Sequence, residues 1–124
     1  SDRRIFKYRE FKDFKEIEEE YNNSDIAFFL PHQMKLFPAD SFDLSINISS
    51  LGEMRPDQID IFFGLFNKLC SGFFYNKQWK LSVNKFDGVT IDFESYPVNR
   101  HWQTLYVRPT VLQGRFLEAL YKTR

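Results

Sequence analysis

Ser41-Phe42-Asp43-Leu44-Ser45-Ile46-Asn47-Ile48-Ser49-Ser50-Leu51-Gly52-Glu53-Met54 is the stretch on which the fold turns. Phe42, Leu44, Ile46 and Ile48 alternate with smaller or polar residues, a period of two that predicts a buried strand. The apolar pattern then stops. Asn47, Ser49, Ser50 and Glu53 bunch where the strand should end, and Gly52 loosens the backbone among them. Pro56 follows at a first-turn position, so a helix is predicted at once. Strand, polar loop and helix in this order predict an open α/β sheet, in which ligands bind outside the carboxyl ends of the strands.

The residues on either side extend the pattern. Pro56–Leu69 carries an apolar stripe of Ile59, Phe62, Phe63, Phe66 and Leu69. Asp57 and Asp60 lie near its start and Lys68 near its end, each favourable to the helix dipole. Arg55 is a poor N-cap. Gly72 is expected to close the helix as a left-handed cap, with a strand over Phe73–Trp79 beyond it. Strand, helix and strand with short links predict one parallel crossover. Upstream, Ile26–Leu30 is a continuous apolar run and reads as a strand covered on both faces. A turn of helix is expected over His32–Phe37, and a short strand over Arg4–Tyr8.

Asp13–Tyr21 reads as a helix with Phe14, Ile17 and Tyr21 on one face, and its acidic run as a solvated face. Downstream, Asp87-Gly88 is a turn signal between Leu81–Val83 and Val89–Phe93, predicting a hairpin. Leu105–Val107 reads as a strand and Gly114–Tyr121 as a strand or short helix.

Phe42-Asp43-Leu44, Asn47-Ile48-Ser49-Ser50 and Glu53-Met54 together resemble the middle of a Rossmann-like S-adenosylmethionine-dependent methyltransferase, and within that class the sugar O-methyltransferases. Asp25-Ile26 with Phe28-Phe29-Leu30-Pro31 and Gln33 resembles the family's preceding strand. Gly72-Phe73-Phe74-Tyr75 with Lys77 and Trp79 resembles its fifth strand, and Tyr96-Pro97 with Trp102 the region after it. The resemblance spans roughly Asp25 to Arg108 and only the back half of the family's domain. Arg55 departs from it, since serine or threonine is usual at that position.

The resemblance implies an α/β fold: a partial Rossmann-like methyltransferase sheet of central parallel strands with a crossover helix and antiparallel strands near the C-terminus. Residues 1–124 would form one partial domain. Glu53 and Asn47 would be catalytic, Glu53 taking a hydroxyl proton and Asn47 orienting the acceptor. Ser49, Ser50, Trp79, Tyr96 and Trp102 would line the acceptor side, and His32 and Gln33 the cofactor side. The cofactor would be S-adenosylmethionine and the acceptor a sugar hydroxyl of a small molecule or glycan. Glycines allow the sharp turn that such a cofactor needs after a first strand. Gly52, Gly64, Gly72, Gly88 and Gly114 form no Gly-x-Gly cluster, so the cofactor's main cradle is expected outside these residues. This chain alone is expected to be inactive.

Read without the resemblance, each of these residues has a plainer role. Ser50 or Glu53 could cap the start of a helix, and the aromatics could be core. A small non-catalytic α/β binding or interaction module is then the alternative. His32, His101 and Glu53 match no metal-ligand spacing, and no metal is expected. Seventeen Lys and Arg balance 17 Asp and Glu, so there is no overall attraction to nucleic acid or an anionic membrane. No apolar run reaches the roughly 18 residues of a spanning helix. Cys70 is the only cysteine, which excludes an internal disulfide and suits a reducing, cytoplasmic compartment. The chain opens on Ser1 rather than methionine, an expected start within a longer protein. Fifteen phenylalanines among 124 residues read first as a phenylalanine-rich core, with a face belonging to a partner or to missing structure as the sharper reading. With the front half of the domain outside these residues, the strands from Ile26 and Phe42 lose neighbours, so an exposed sheet edge and self-association through it are expected.

Overall fold

The computed structural model describes residues 2–124. It is a mixed α/β protein with three small sheets and few helices. The chain forms two compact units, one of residues up to Ala39 and one of Asp40–Arg124. Among the described residues no helix is long and apolar enough to cross a membrane.

In the smaller unit β1 (Ile5–Phe6) pairs in parallel with β2 (Ile26–Ala27). Between them lies α1 (Glu18–Asn22). Its core is aromatic: Phe29 stacks on Phe6 at 5.1 Å and meets Phe37 edge-on at 4.8 Å, while Phe14 lies 4.9 Å from Phe37. Two expectations change here. The predicted helix over Asp13–Tyr21 is split. Asp13 caps a single 3-10 turn, Phe14–Glu16, by accepting from Lys15 N, and α1 starts only at Glu18. The predicted strand over Ile26–Leu30 stops at Ala27. Phe29 turns into the aromatic core, and the Leu30 N–H is taken by the Gln33 side chain rather than by a neighbouring strand. The expected turn of helix follows as a 3-10 helix, Pro31–Leu36.

The larger unit is built on a four-stranded sheet. β3 (Phe42–Ile48) leads through α2 (Pro56–Leu69) into β4 (Cys70–Trp79). β5 (Leu81–Val83) and β6 (Thr90–Asp92) form a separate hairpin, with Gly88 at φ +72° in the turn. β7 (Gln103–Pro109) and β8 (Phe116–Lys122) close the chain. The order in the sheet is β3-β4-β8-β7. β3 and β4 run parallel, with Asn47 opposite Asn76. β8 pairs antiparallel with both β4 and β7.

The pleat sorts the β4 side chains. Phe74, Asn76 and Gln78 are buried, and Ile59 and Phe63 of α2 join Phe74 in one core with Tyr96, Trp102 and Tyr121. Phe73 and Trp79 point to the other face and are exposed. β3 is not the buried strand expected: it lies at an edge of the sheet, paired only with β4, and its Leu44, Ile46 and Ile48 are each more than half exposed.

Gly72 is not the left-handed helix cap expected of it. α2 passes directly into β4 at Cys70, and Gly72 lies inside the strand. A Cβ there would sit 2.1 Å from the Asp43 carbonyl oxygen of β3, so glycine is needed for the close approach of two backbones. Gly72→Ala is expected to cost about 1–3 kcal/mol through forced separation of β3 and β4. Chemical denaturation measures it, and an unchanged midpoint would contradict the close approach. Gly64→Ala, with open space around its Cβ position, is the control.

Candidate functional site

The carboxyl ends of β3 and β4 carry a hydrogen-bonded group of polar side chains. β3 ends because Ser49 takes a left-handed backbone (φ 58°), while its N–H still donates to Lys77 O at 2.8 Å. The next residues curl into a 3-10 turn, Leu51–Glu53, pinned by the buried Leu51. This turn brings Ser50 back over the strand. Ser50 Oγ donates to Asn47 Oδ1 at 2.9 Å, and Gln78 Nε2 donates to the same oxygen at 2.7 Å. Gln78 Nε2 also donates to Asn76 Oδ1 at 2.8 Å. Gly52 N–H approaches Gln78 Oε1 at 3.4 Å, and Ser82 Oγ donates to Gly52 O at 2.9 Å. Asn76 and Gln78 are fully buried, so these bonds are stronger than they would be in water. Asn76 Nδ2 and the Tyr96 hydroxyl are buried without a hydrogen-bond partner among the described residues.

Asn47 and Ser50 are thus brought together, with Ser49 in the turn between them. Glu53 sits at the end of the same turn with its side chain in solvent. Neither Ser50 nor Glu53 caps a helix through its side chain. α2 begins at Pro56 with Arg55 as its N-cap, and Arg55 N–H is met by Gln58 Oε1 at 3.3 Å. Trp79 points to the sheet face opposite Gln78, where it stacks on Phe116 at 4.3 Å and remains 38% exposed. Tyr96 and Trp102 are core residues: both rings stack on Phe63, and Trp102 Nε1 donates to Asn67 Oδ1 at 3.0 Å. In the smaller unit Gln33 is fully buried, its amide accepting from Leu30 N and donating to Arg9 O. His32 is exposed beside Glu10 at 3.4 Å.

The sequence reading did not single out Asn76 and Gln78. A signal was present: two amides continue the buried face after Phe74, where apolar residues are the rule. It also missed a cluster on the other sheet face. Tyr75 OH donates to Glu118 Oε2 at 2.6 Å, and Arg108 Nε donates to Glu118 Oε1 at 2.9 Å. The Tyr75 hydrogen bond, then that of Arg108, holds the Glu118 carboxyl below the usual carboxylate range. Burial first, and the bond to Glu118 second, push the Tyr75 phenol up to about 12. These partners meet across β4, β8 and β7, a register that residue spacing does not encode.

The two shifts have opposite consequences. Glu118 stabilises the fold fully above its ordinary pKa of about 4.3, and that contribution is lost as pH falls through the lowered folded value. Tyr75 contributes fully below about 10, and its share is lost as pH rises through the folded value of about 12. Glu118→Gln is expected to lower the melting temperature at neutral pH, with the gap to the parent closing below about pH 4.3. Thermal melts across an acid pH series read this directly, and a gap that stays constant would exclude a role for the carboxylate charge.

Comparison of the chain with protein-family models, with curated proteins and with solved structures yields no match.

Proposed function

We propose that Asp40–Arg124 forms the acceptor-side part of an S-adenosylmethionine-dependent O-methyltransferase whose acceptor is a sugar hydroxyl. The observation that carries this reading is the sheet order β3-β4-β8-β7. A parallel pair joined through α2 is followed by antiparallel strands at the C-terminus, as the resemblance implies. The polar group of Asn47, Ser50, Asn76 and Gln78 lies at the carboxyl ends of the parallel pair, where open α/β sheets take ligands.

The residues present do not fit a complete cofactor site. The five glycines supply no strand-to-helix turn in Gly-x-Gly spacing, and Gly72 is occupied by close contact with β3. The Gln33 amide is bound at both ends within its own unit. What these residues can supply is alignment of an acceptor and a base for its proton. Asn47 is held in one orientation by Ser50 and Gln78, and the exposed Glu53 carboxylate is open to a hydroxyl.

The alternative reading is a small α/β binding module without catalysis. The mutual hydrogen bonding of Asn47, Ser50, Asn76 and Gln78 favours it, since bonded amides stabilise a turn without any ligand. Transfer of a labelled methyl group to a panel of neutral and anionic sugars, assayed in the natural gene product, separates the two. Label on a sugar oxygen is the expected result. Sugar binding without transfer would leave the module.

A further inference from the structure

Past the end of β4, three chain segments are clamped together around Lys80. Its N–H donates to Arg115 O at 2.8 Å, and its carbonyl accepts from Phe93 N at 3.0 Å. These backbone bonds bring the end of β4, the entry to β8 and the exit of β6 to one place. Their side chains line an open recess of about 480 Å³, formed by Trp79, Lys80, Leu81, Asp92 and Arg115. That volume lies within the range of about 300–1,000 Å³ usual for small-molecule sites.

The lining has a definite chemistry. Phe116 backs the Trp79 ring at 4.3 Å and 29°, which fixes its orientation while more than a third of it stays exposed. An immobilised indole suits the flat C–H face of a sugar ring. Lys80 and Arg115 have no carboxylate within ion-pair distance among the described residues. Asp92 uses Oδ1 to accept from Glu94 N at 3.0 Å, which leaves its second oxygen for a hydroxyl. Two cations against one carboxylate give the recess a net positive charge.

We propose that this recess is a subsite for an anionic sugar, with the ring on Trp79, its carboxylate or phosphate between Lys80 and Arg115, and a hydroxyl on Asp92. The proposal rests on the sugar-acceptor reading for the chemistry that follows binding, but binding itself is read without any methyl donor. Trp79 is the reporter, since the other tryptophan, Trp102, is buried in the core. Tryptophan emission is titrated with glucuronate, glucose 6-phosphate, glucose, acetate and inorganic phosphate at constant ionic strength.

Saturable change with glucuronate or glucose 6-phosphate is expected, with glucose about tenfold weaker or worse, because charge-assisted hydrogen bonds are the stronger ones. Response to glucuronate alone identifies a uronic acid, and response to the phosphate ester alone a phosphosugar. Lys80→Gln with Arg115→Gln should weaken the anionic sugar about tenfold or more and leave glucose unchanged. Both side chains are exposed, so the melting temperature should hold. Equal affinity for glucose overturns the anionic part. Equal affinity for acetate or inorganic phosphate overturns the sugar part. No response, or full binding by the double variant, overturns the subsite. Sugar binding without methyl transfer would sink only the transferase reading. Methyl transfer undisturbed by the double variant would sink only this subsite.

Discussion

Phe74→Ala is expected to destabilise the larger unit by about 3–5 kcal/mol, the range for deleting a fully buried phenylalanine. Phe74 is completely inaccessible and stands at the centre of the aromatic core. Phe66 stacks on it at 4.3 Å, Phe63 meets it edge-on at 5.6 Å, and Trp102 and Tyr121 lie at 5.8 and 6.1 Å. These neighbours come from α2, β8 and the segment before β7, so no single movement can refill the space. Aromatic pairs also contribute about 0.5–1.5 kcal/mol each beyond burial. Phe73 is the internal control. It is the next residue on the same strand, but it points to the open face and is substantially exposed. Phe73→Ala should therefore cost much less. Denaturant unfolding of both variants makes the comparison. Equal losses would mean that the face under α2 is no better packed than the open one.

That contrast also explains what the residues disclosed in advance. α2 is legible to its ends because every local signal agrees: a five-residue apolar stripe, Pro56 at its start, acids early and Lys68 late. β3 is legible from its period of two, which survives although its apolar residues face outward. The helix expected over Asp13–Tyr21 failed on one residue. Ile17 N–H closes back on Phe14 O, ending a 3-10 turn before the α-helix can begin. Gly72 reads as a cap because glycine often follows a helix, while the real demand comes from Asp43, nearly thirty residues earlier. The polar site was half legible. Asn47 at the end of β3 and Ser50 just beyond it are three residues apart and stand out as a cluster. Asn76 and Gln78 reach them only through the parallel register of β3 and β4, a tertiary fact. The Tyr75–Glu118–Arg108 group needed three strands in register and left no local trace.

On the proposed transferase reading, Glu53→Gln in the natural gene product should lower methyl-transfer turnover by about 10²–10⁴-fold, the usual contribution of one positioned acid–base group. At about 1.36 kcal/mol per tenfold this is roughly 3–5 kcal/mol of barrier. The substitution keeps the shape of the side chain and removes only its ability to take a proton. Folding should not notice: Glu53 is exposed, and among the described residues no hydrogen bond or ion pair ties its carboxylate to the fold. Exposed substitutions of this kind stay within about 0.5 kcal/mol. Asn47→Ala is the instructive contrast. It strips the acceptor oxygen from both Ser50 and Gln78, and Gln78 is buried. Disrupting buried hydrogen bonding costs about 1–3 kcal/mol, so Asn47→Ala should lose stability as well as turnover. Initial rates and thermal melts on both variants distinguish a base from a scaffold. Normal turnover in Glu53→Gln would remove this residue from the chemistry. A lowered melting temperature with normal turnover would make it part of the turn that holds Ser50 over Asn47.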